Sequence, residues 1–248
     1  MRLLILGGTT EASALARRIA EREDIEPCLS FAGRTRNPAP PPIPFRVGGF
    51  GGVEGLKAYL AEHRIDAVID ATHPFAAQMS RHAGIARGAL GIPLATFTRP
   101  PWRSQAGDRW IGAADIEDAV RALGERPRRV LLTIGGSQLA GFAAAPWHHY
   151  IVRTIDPPDA IAALPSSRLI LARGPFSVDD ETALMRDEAI DALVTKNSGG
   201  AATEAKIAAA RALGIEIVMI ERPPAADGPA FHTVESVLEW IEAHRPAP

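Results

Sequence analysis

The turn Gly7-Gly8-Thr9-Thr10-Glu11 joins an apolar run, Leu3–Leu6, to an amphipathic stretch. Strand, glycine turn and helix in that order can bring backbone N–H groups to a diphosphate at the positive end of the helix, with the threonine hydroxyls as further donors. The third glycine of a G-x-G-x-x-G fingerprint is missing, although Ala12 is small enough for close helix–strand packing. Taken alone, the turn reads equally well as a phosphate site or a plain tight turn. The next apolar run, Glu26–Phe31, carries Ser30 and ends without the acid that would bind a ribose diol; Arg34 and Arg36 follow it. A hydroxyl and guanidinium groups there suit the 2′-phosphate of NADPH, and the bland reading is a solvated loop face. Gly48-Gly49-Phe50-Gly51-Gly52 has four glycines in five residues. That is costly in chain entropy unless the backbone needs close approach, so Gly49, Phe50 and Gly51 are candidate cofactor contacts.

Two further clusters are polar. Thr72 and His73, in Asp70-Ala71-Thr72-His73-Pro74-Phe75, stand where a nicotinamide would reach, although a lone histidine at a strand end is more often structural. Arg173-Gly174-Pro175-Phe176 and Lys196-Asn197-Ser198-Gly199-Gly200 gather cations and amide groups suited to a polycarboxylate. In this set Arg173, Lys196, Asn197, Ser198 and Gly199 are the candidate substrate contacts. Lys196 and His73 are the side chains able to donate a proton.

These turns need a scaffold. Strand-length apolar runs at Leu3–Leu6, Glu26–Phe31, Ile43–Val47, Ala67–Asp70, Pro93–Thr98, Val130–Ile134, His149–Arg153, Leu169–Ala172, Ala192–Thr195 and Glu216–Ile220 alternate with helix-length segments such as Glu11–Glu21, Gly52–His63, Ala76–Leu90 and Gly200–Leu213. That alternation predicts an α/β fold with parallel sheets covered by helices on both faces. The chain also repeats itself: Arg2-LLILGG and Arg129-VLLTIGG, Asp66-AVIDATHPF and Asp191-ALVTKNSGG, Ala86-RGALGIPLATFTRPP and Ala210-RALGIEIVMIERPP. After each RPP comes a last amphipathic segment, Asp115-IEDAVRAL or Val234-ESVLEWIEAH. The expectation is two Rossmann-like parallel-sheet domains facing a shared cleft, residues 1–124 and 125–248, joined near Gly124–Arg128. Asn37-PAPPPIP reads as a stiff surface connection.

Bulk properties narrow the class. The 248 residues are 46% hydrophobic and carry a net charge near −2, so nothing drives the chain toward nucleic acid or a membrane. Cys28 is the single cysteine, which removes any disulfide within the chain and any cysteine-based zinc site. No P-loop, no G-x-S-x-G elbow and no metal-ligand spacing among the histidines is present. The absence of an 18-residue apolar window and of a leader-like start predicts a cytoplasmic protein, with a monomer the favoured state. A two-domain transferase using a nucleotide-activated donor, another NADPH reductase acting on a polycarboxylate, and a non-enzymatic NADPH-binding regulator compete on the same scaffold.

Taken together, Ile5-LGGTTEA, Gly48-GFGG with Gly55-L, Asp70-ATHPFA, Ala172-RGPF, Thr195-KNSGG and Glu221-RP resemble the precorrin-6A reductases of cobalamin biosynthesis, from Leu3 to about Pro223. Each motif is short; their joint order is specific. The resemblance implies a two-domain Rossmann-like fold, NADPH as cofactor, and reduction of the acidic tetrapyrrole precorrin-6A to precorrin-6B. It does not separate a metal-free macrocycle from the cobalt-bearing one that a related group reduces.

Overall fold

The computed structural model describes residues 1–33, 40–224 and 228–246. In chain order the elements are β1 (Arg2–Leu6), α1 (Thr10–Ile19), β2 (Glu26–Phe31), β3 (Phe45–Val47), α2 (Gly52–Glu62), β4 (Ala67–Asp70), α3 (Ala77–Leu90), β5 (Leu94–Phe97), β6 (Arg109–Ala113), α4 (Ile116–Leu123), β7 (Arg129–Thr133), β8 (His149–Thr154), β9 (Ser167–Leu171), α5 (Val178–Asp187), β10 (Ala192–Lys196), α6 (Ala205–Leu213), β11 (Glu216–Ile220), β12 (Ala230–Phe231) and α7 (Val234–Ala243). Short 3₁₀ segments lie at Gly136–Ala144, Asp159–Ala163 and Ala201–Thr203.

Two six-stranded parallel sheets result. The first runs β12-β5-β4-β1-β2-β3 and the second β6-β11-β10-β7-β8-β9. Read from the other edge, each is the 3-2-1-4-5-6 order of a dinucleotide-binding sheet, with its switch point between β1 and β4 or between β7 and β10. The central strands are buried on both faces, as the continuous apolar runs require. In β1, Leu3 and Ile5 point to the layer containing α1 and α7, while Leu4 and Leu6 point to Leu56 and Leu60 of α2 and Ala83 and Ala86 of α3.

The domain boundary differs from the expected one. One compact unit comprises Met1–Pro100 with Pro223–Pro248, and the other Pro101–Arg222. The strand after each RPP joins the sheet of the other half: β6 pairs with β11, and β12 with β5. Hence residues 101–124 belong to the second unit, and the C-terminal strand and helix to the first. The physical reason is packing. Ala119 and Leu123 of α4 are buried in the second unit, whereas α7 buries Val237, Trp240 and Ile241 beside Leu15 and Ile19 of α1. Burial of side chains of that size is worth about 1.5–3 kcal/mol each. The two RPP tripeptides thus mark where the chain passes between units.

Smaller departures have local causes. The third strand begins at Phe45, because Pro42 and Pro44 lack the N–H a ladder needs. The helix expected from Gly200 begins at Ala205, after the 3₁₀ turn, where the buried Lys206 ammonium donates to the Thr203 carbonyl at 2.8 Å. Strands β6 and β12 escaped the sequence reading; both are edge strands, the first with a glycine inside and the second only two residues long.

His148, at the entry to β8, is 1% exposed; its Nδ1 accepts from the Arg128 N–H at 3.2 Å and its Nε2 has no partner. Burial lowers its pKa below the ordinary 6.5; the Gly124 backbone opposes this, and the Arg128 charge acts with burial. The native state therefore favours the neutral ring. Its contribution is fully present above about pH 6.5 and is lost as pH falls from there toward the lowered native value. Urea unfolding midpoints are expected to fall between pH 7.5 and pH 5.5, and His148→Gln to flatten that part of the profile. Equal slopes in the two proteins would show that other groups carry it.

Candidate functional site

In the first unit the glycine turns meet at the carboxyl edge of the sheet. Gly7 donates its N–H to the Ser30 carbonyl at 2.9 Å. A Cβ at Gly7 would lie 2.5 Å from Leu29 Cδ1 and 3.2 Å from Ala12 Cβ, and Gly8 follows with φ +115°. The strand-to-helix turn is thus as tight as a diphosphate turn needs to be. Thr9 caps α1: its Oγ1 accepts from the Ala12 N–H at 3.1 Å and donates to the Ala71 carbonyl at 2.7 Å. That hydroxyl ties the turn after β1 to the turn after β4 across the switch point, so its single proton is used within the fold. The Thr10 and Glu11 N–H groups lie in the first helical turn, where no intrahelical acceptor exists. The Thr10 hydroxyl donates to Glu11 Oε2 at 3.1 Å, and the Glu11 carboxylate is held by Arg99 at 2.9 Å. Arg99 thus offsets the negative charge Glu11 would otherwise bring to an anion site.

Arg34 and Arg36 lie outside the described residues. The described cation at this edge is Arg46 of β3, which the sequence reading missed. Its guanidinium donates to Ser30 Oγ at 2.7 Å, to the Gly48 carbonyl at 2.9 Å and to the Gly49 carbonyl at 3.0 Å. It also stacks over Phe50 at 4.0 Å and lies 5.3 Å from Tyr59. Phe50 in turn packs edge-on against Tyr59 of α2. Ser30, Gly49 and Phe50 therefore belong to one assembly built on Arg46, with Gly51 in the left-handed conformation at the start of α2. Among the described residues Arg46 forms no ion pair, so within them its positive charge beside the glycine turn is not offset.

Asp70, 2% exposed, accepts from the Thr72 N–H at 3.1 Å and the Thr72 hydroxyl at 2.6 Å, which fixes the turn after β4. His73 is exposed, and its Nδ1 accepts from the Phe75 N–H at 3.2 Å. The neutral ring therefore carries its proton on Nε2. Beyond this turn, α3 borders a cavity of about 740 Å³ lined by Gln78, Arg81, Gly84, Ile85, Arg87 and Pro223 among others. Gly88, in the same wall, would meet nothing within 4 Å if it carried a Cβ.

In the second unit the equivalent turn after β7 is as tight but is followed differently. A Cβ at Gly136 would stand 2.6 Å from Pro158 Cβ, and a 3₁₀ segment replaces the helix whose N-terminus would hold a phosphate. The turn after β10 divides into two roles. Asn197, 5% exposed, accepts from the Trp102 N–H at 2.8 Å and donates to the Trp102 carbonyl at 3.3 Å. Its carbonyl, and that of the 9%-exposed Ser198, accept from Arg222. Asn197 is thus a clamp on the segment entering this unit, not an outward-facing amide. Lys196, half-buried, ends β10, and Gly199 turns the chain with φ +67°. Arg173 is exposed on the loop after β9 and forms no ion pair among the described residues. Among those residues no group of three or more His, Cys, Asp or Glu could hold a metal, and no helix is long and apolar enough to cross a membrane.

Comparison with known proteins agrees with this architecture. Residues 2–242 match the model of the family "Precorrin-6x reductase CbiJ/CobK". The chain is 49% identical to a precorrin-6A reductase of Rhodobacter capsulatus, covering 100% of this chain and 98% of that one. It is 47% identical to the precorrin-6A reductase of Mycobacterium tuberculosis, with 97% of each covered. A cobalt-precorrin-6A reductase of Priestia megaterium is 27% identical over 96% of this chain and 97% of its own length. A solved structure of "CobK precorrin-6A reductase" superposes with a TM-score of 0.92 at 49% identity, covering 100% of this chain and 98% of that one. With residues 2–242 matched by the family model and about half of its residues identical to those of full-length relatives, the chain belongs to the precorrin-6x reductase family.

Proposed function

We propose that the protein reduces the metal-free macrocycle of precorrin-6A in cobalamin biosynthesis, with NADPH bound on the first unit. The observation that carries the cofactor reading is the turn at the switch point of the first sheet. There Gly7 leaves no room for a side chain, the first turn of α1 offers N–H groups, and Arg46 supplies a cation beside the end of β2. In the second unit a 3₁₀ segment follows the corresponding turn, so no α-helix N-terminus stands in the equivalent place. When bound, NADPH supplies the hydride, and the chain's work is to bind, orient and exclude water. Thr72 and His73 border the nicotinamide end. Arg173 receives a carboxylate arm of the substrate. The metal-free ring is favoured over the cobalt-bearing one because identity is 49% and 47% to two precorrin-6A reductases and 27% to the cobalt-precorrin-6A reductase of P. megaterium.

The test is fluorescence titration with NADPH and NADH, followed by NADPH oxidation in the presence of precorrin-6A. Wild type is expected to bind NADPH more tightly than NADH and to oxidise it only when the macrocycle is present. Arg46→Met should weaken NADPH binding about tenfold, the loss of one charge-assisted contact, with a smaller effect on NADH. Equal losses for both cofactors would reduce Arg46 to a support of the glycine turn. Oxidation of NADPH with another polycarboxylate but not with precorrin-6A would overturn the substrate assignment.

A further inference from the structure

Arg153 lies one residue before the carboxyl end of β8 and is 9% exposed. Its guanidinium is paired with Glu181 of α5, which is 1% exposed, and it stacks over the ring of Phe176 at 4.0 Å. Glu181 Oε2 has no hydrogen-bond partner. A buried ion pair with one oxygen left unsatisfied is a poor device for stability, because apolar residues of similar volume would avoid both the desolvation cost and the orphan acceptor. Its value must be sought in what it holds in place.

What it holds is the loop from Ala172 to Ser177. At one end the Ala172 N–H donates to the Thr154 carbonyl at 3.0 Å; at the other, Ser177 caps α5 by accepting from the Asp180 N–H at 3.1 Å. Between these ends Phe176 lies under the Arg153 guanidinium, while Arg173 projects into solvent three residues earlier. The pair thus joins a strand, a helix and a loop at the edge where the second sheet presents its cations. A planar guanidinium fixed by a carboxylate on its edge and a ring on its face has one orientation, and the ring beneath it inherits that orientation.

We infer that the buried Arg153–Glu181 pair is a positioning device for substrate recognition: through Phe176 it sets the direction in which Arg173 meets a carboxylate arm of the macrocycle. The inference rests on the reading of Arg173 as a substrate contact. Neither Arg153 nor Glu181 touches the reacting atoms. Their loss therefore acts on substrate affinity and not on the chemical step.

The experiment compares steady-state kinetics of wild type, Arg173→Ala, Arg153→Lys and the double variant Arg153→Met/Glu181→Leu, with precorrin-6A and NADPH varied separately. The double variant removes both charges together, so no buried charge is stranded and the fold is retained; thermal unfolding checks this. KM for precorrin-6A is expected to rise about tenfold in Arg173→Ala and in the double variant, with kcat within about twofold and KM for NADPH unchanged. Arg153→Lys, which keeps the charge but not the planar stack, should fall between them and wild type. An unchanged KM in the double variant beside a raised KM in Arg173→Ala would overturn the positioning role alone. An unchanged KM in Arg173→Ala would overturn the loop as a carboxylate site, and the inference with it.

Discussion

Gly55→Ala is expected to cost about 3 kcal/mol of stability, at the upper end of the usual overpacking range, and to weaken NADPH binding by about 100-fold or more. A Cβ at this position would fall 1.6 Å from the carbonyl oxygen of Phe50 and 2.8 Å from its carbonyl carbon. Both are backbone atoms, so no rotamer change relieves the clash. The helix cannot retreat cheaply, because Leu56 and Leu60 next to Gly55 in α2 are 1% and 2% exposed and pack on Leu4, Leu6 and Val68. The glycine turn must therefore move. Moving it breaks the Arg46 bonds to the Gly48 and Gly49 carbonyls and the stack on Phe50. Gly88→Ala is the control, since nothing lies within 4 Å of that Cβ. It should stabilise α3 by about 0.5–1 kcal/mol and leave cofactor affinity alone. Urea unfolding and fluorescence titration read both effects. A folded Gly55→Ala protein with wild-type NADPH affinity would show that the turn before α2 is not part of the cofactor site.

Much of the scaffold was legible because buried parallel strands write themselves as unbroken apolar runs. Leu3–Leu6, Ala67–Asp70 and Glu216–Ile220 needed only their composition and the glycines that follow. The exchange of sixth strands was not legible. Neither β6 nor the two-residue β12 stands out as a strand in the sequence, nothing local says which edge they join, and the repeat made the wrong partner look natural. The two RPP tripeptides were seen as matching blocks, yet their meaning depends on Ala119, Leu123, Val237 and Ile241 finding their cores. At the site, residue type was legible and direction was not. Thr9 and Asn197 carry polar groups that suit a ligand, but each is consumed by backbone it holds across a gap of 62 or 95 residues. Arg46 and Arg153 were invisible for the complementary reason: a single arginine inside a strand carries no motif, and its importance comes from glycine carbonyls, aromatic rings or a carboxylate that only the fold brings to it.

The two candidate proton donors separate on the same kind of argument. His73 must become an imidazolium to give up a proton easily. That puts a proton on the Nδ1 that now accepts the Phe75 N–H. A lysine ammonium is itself a proton donor. Lys196 also ends β10 at the switch point of the second sheet, and the Asn197 clamp and the Arg222 bonds fix the backbone immediately after it. We therefore expect Lys196→Met to lower kcat by about 100-fold while NADPH affinity stays near wild type, the size expected for loss of a positioned general acid. His73→Gln, which keeps a hydrogen-bonding side chain but cannot become a cation, should lower kcat by less than about tenfold. Single-turnover oxidation of bound NADPH with precorrin-6A measures both steps free of product release. The reverse order of effects would make His73 the donor and require the Phe75 bond to open during the reaction. Small effects in both variants would assign the proton to solvent, leaving Lys196 as a carboxylate contact whose loss appears in KM.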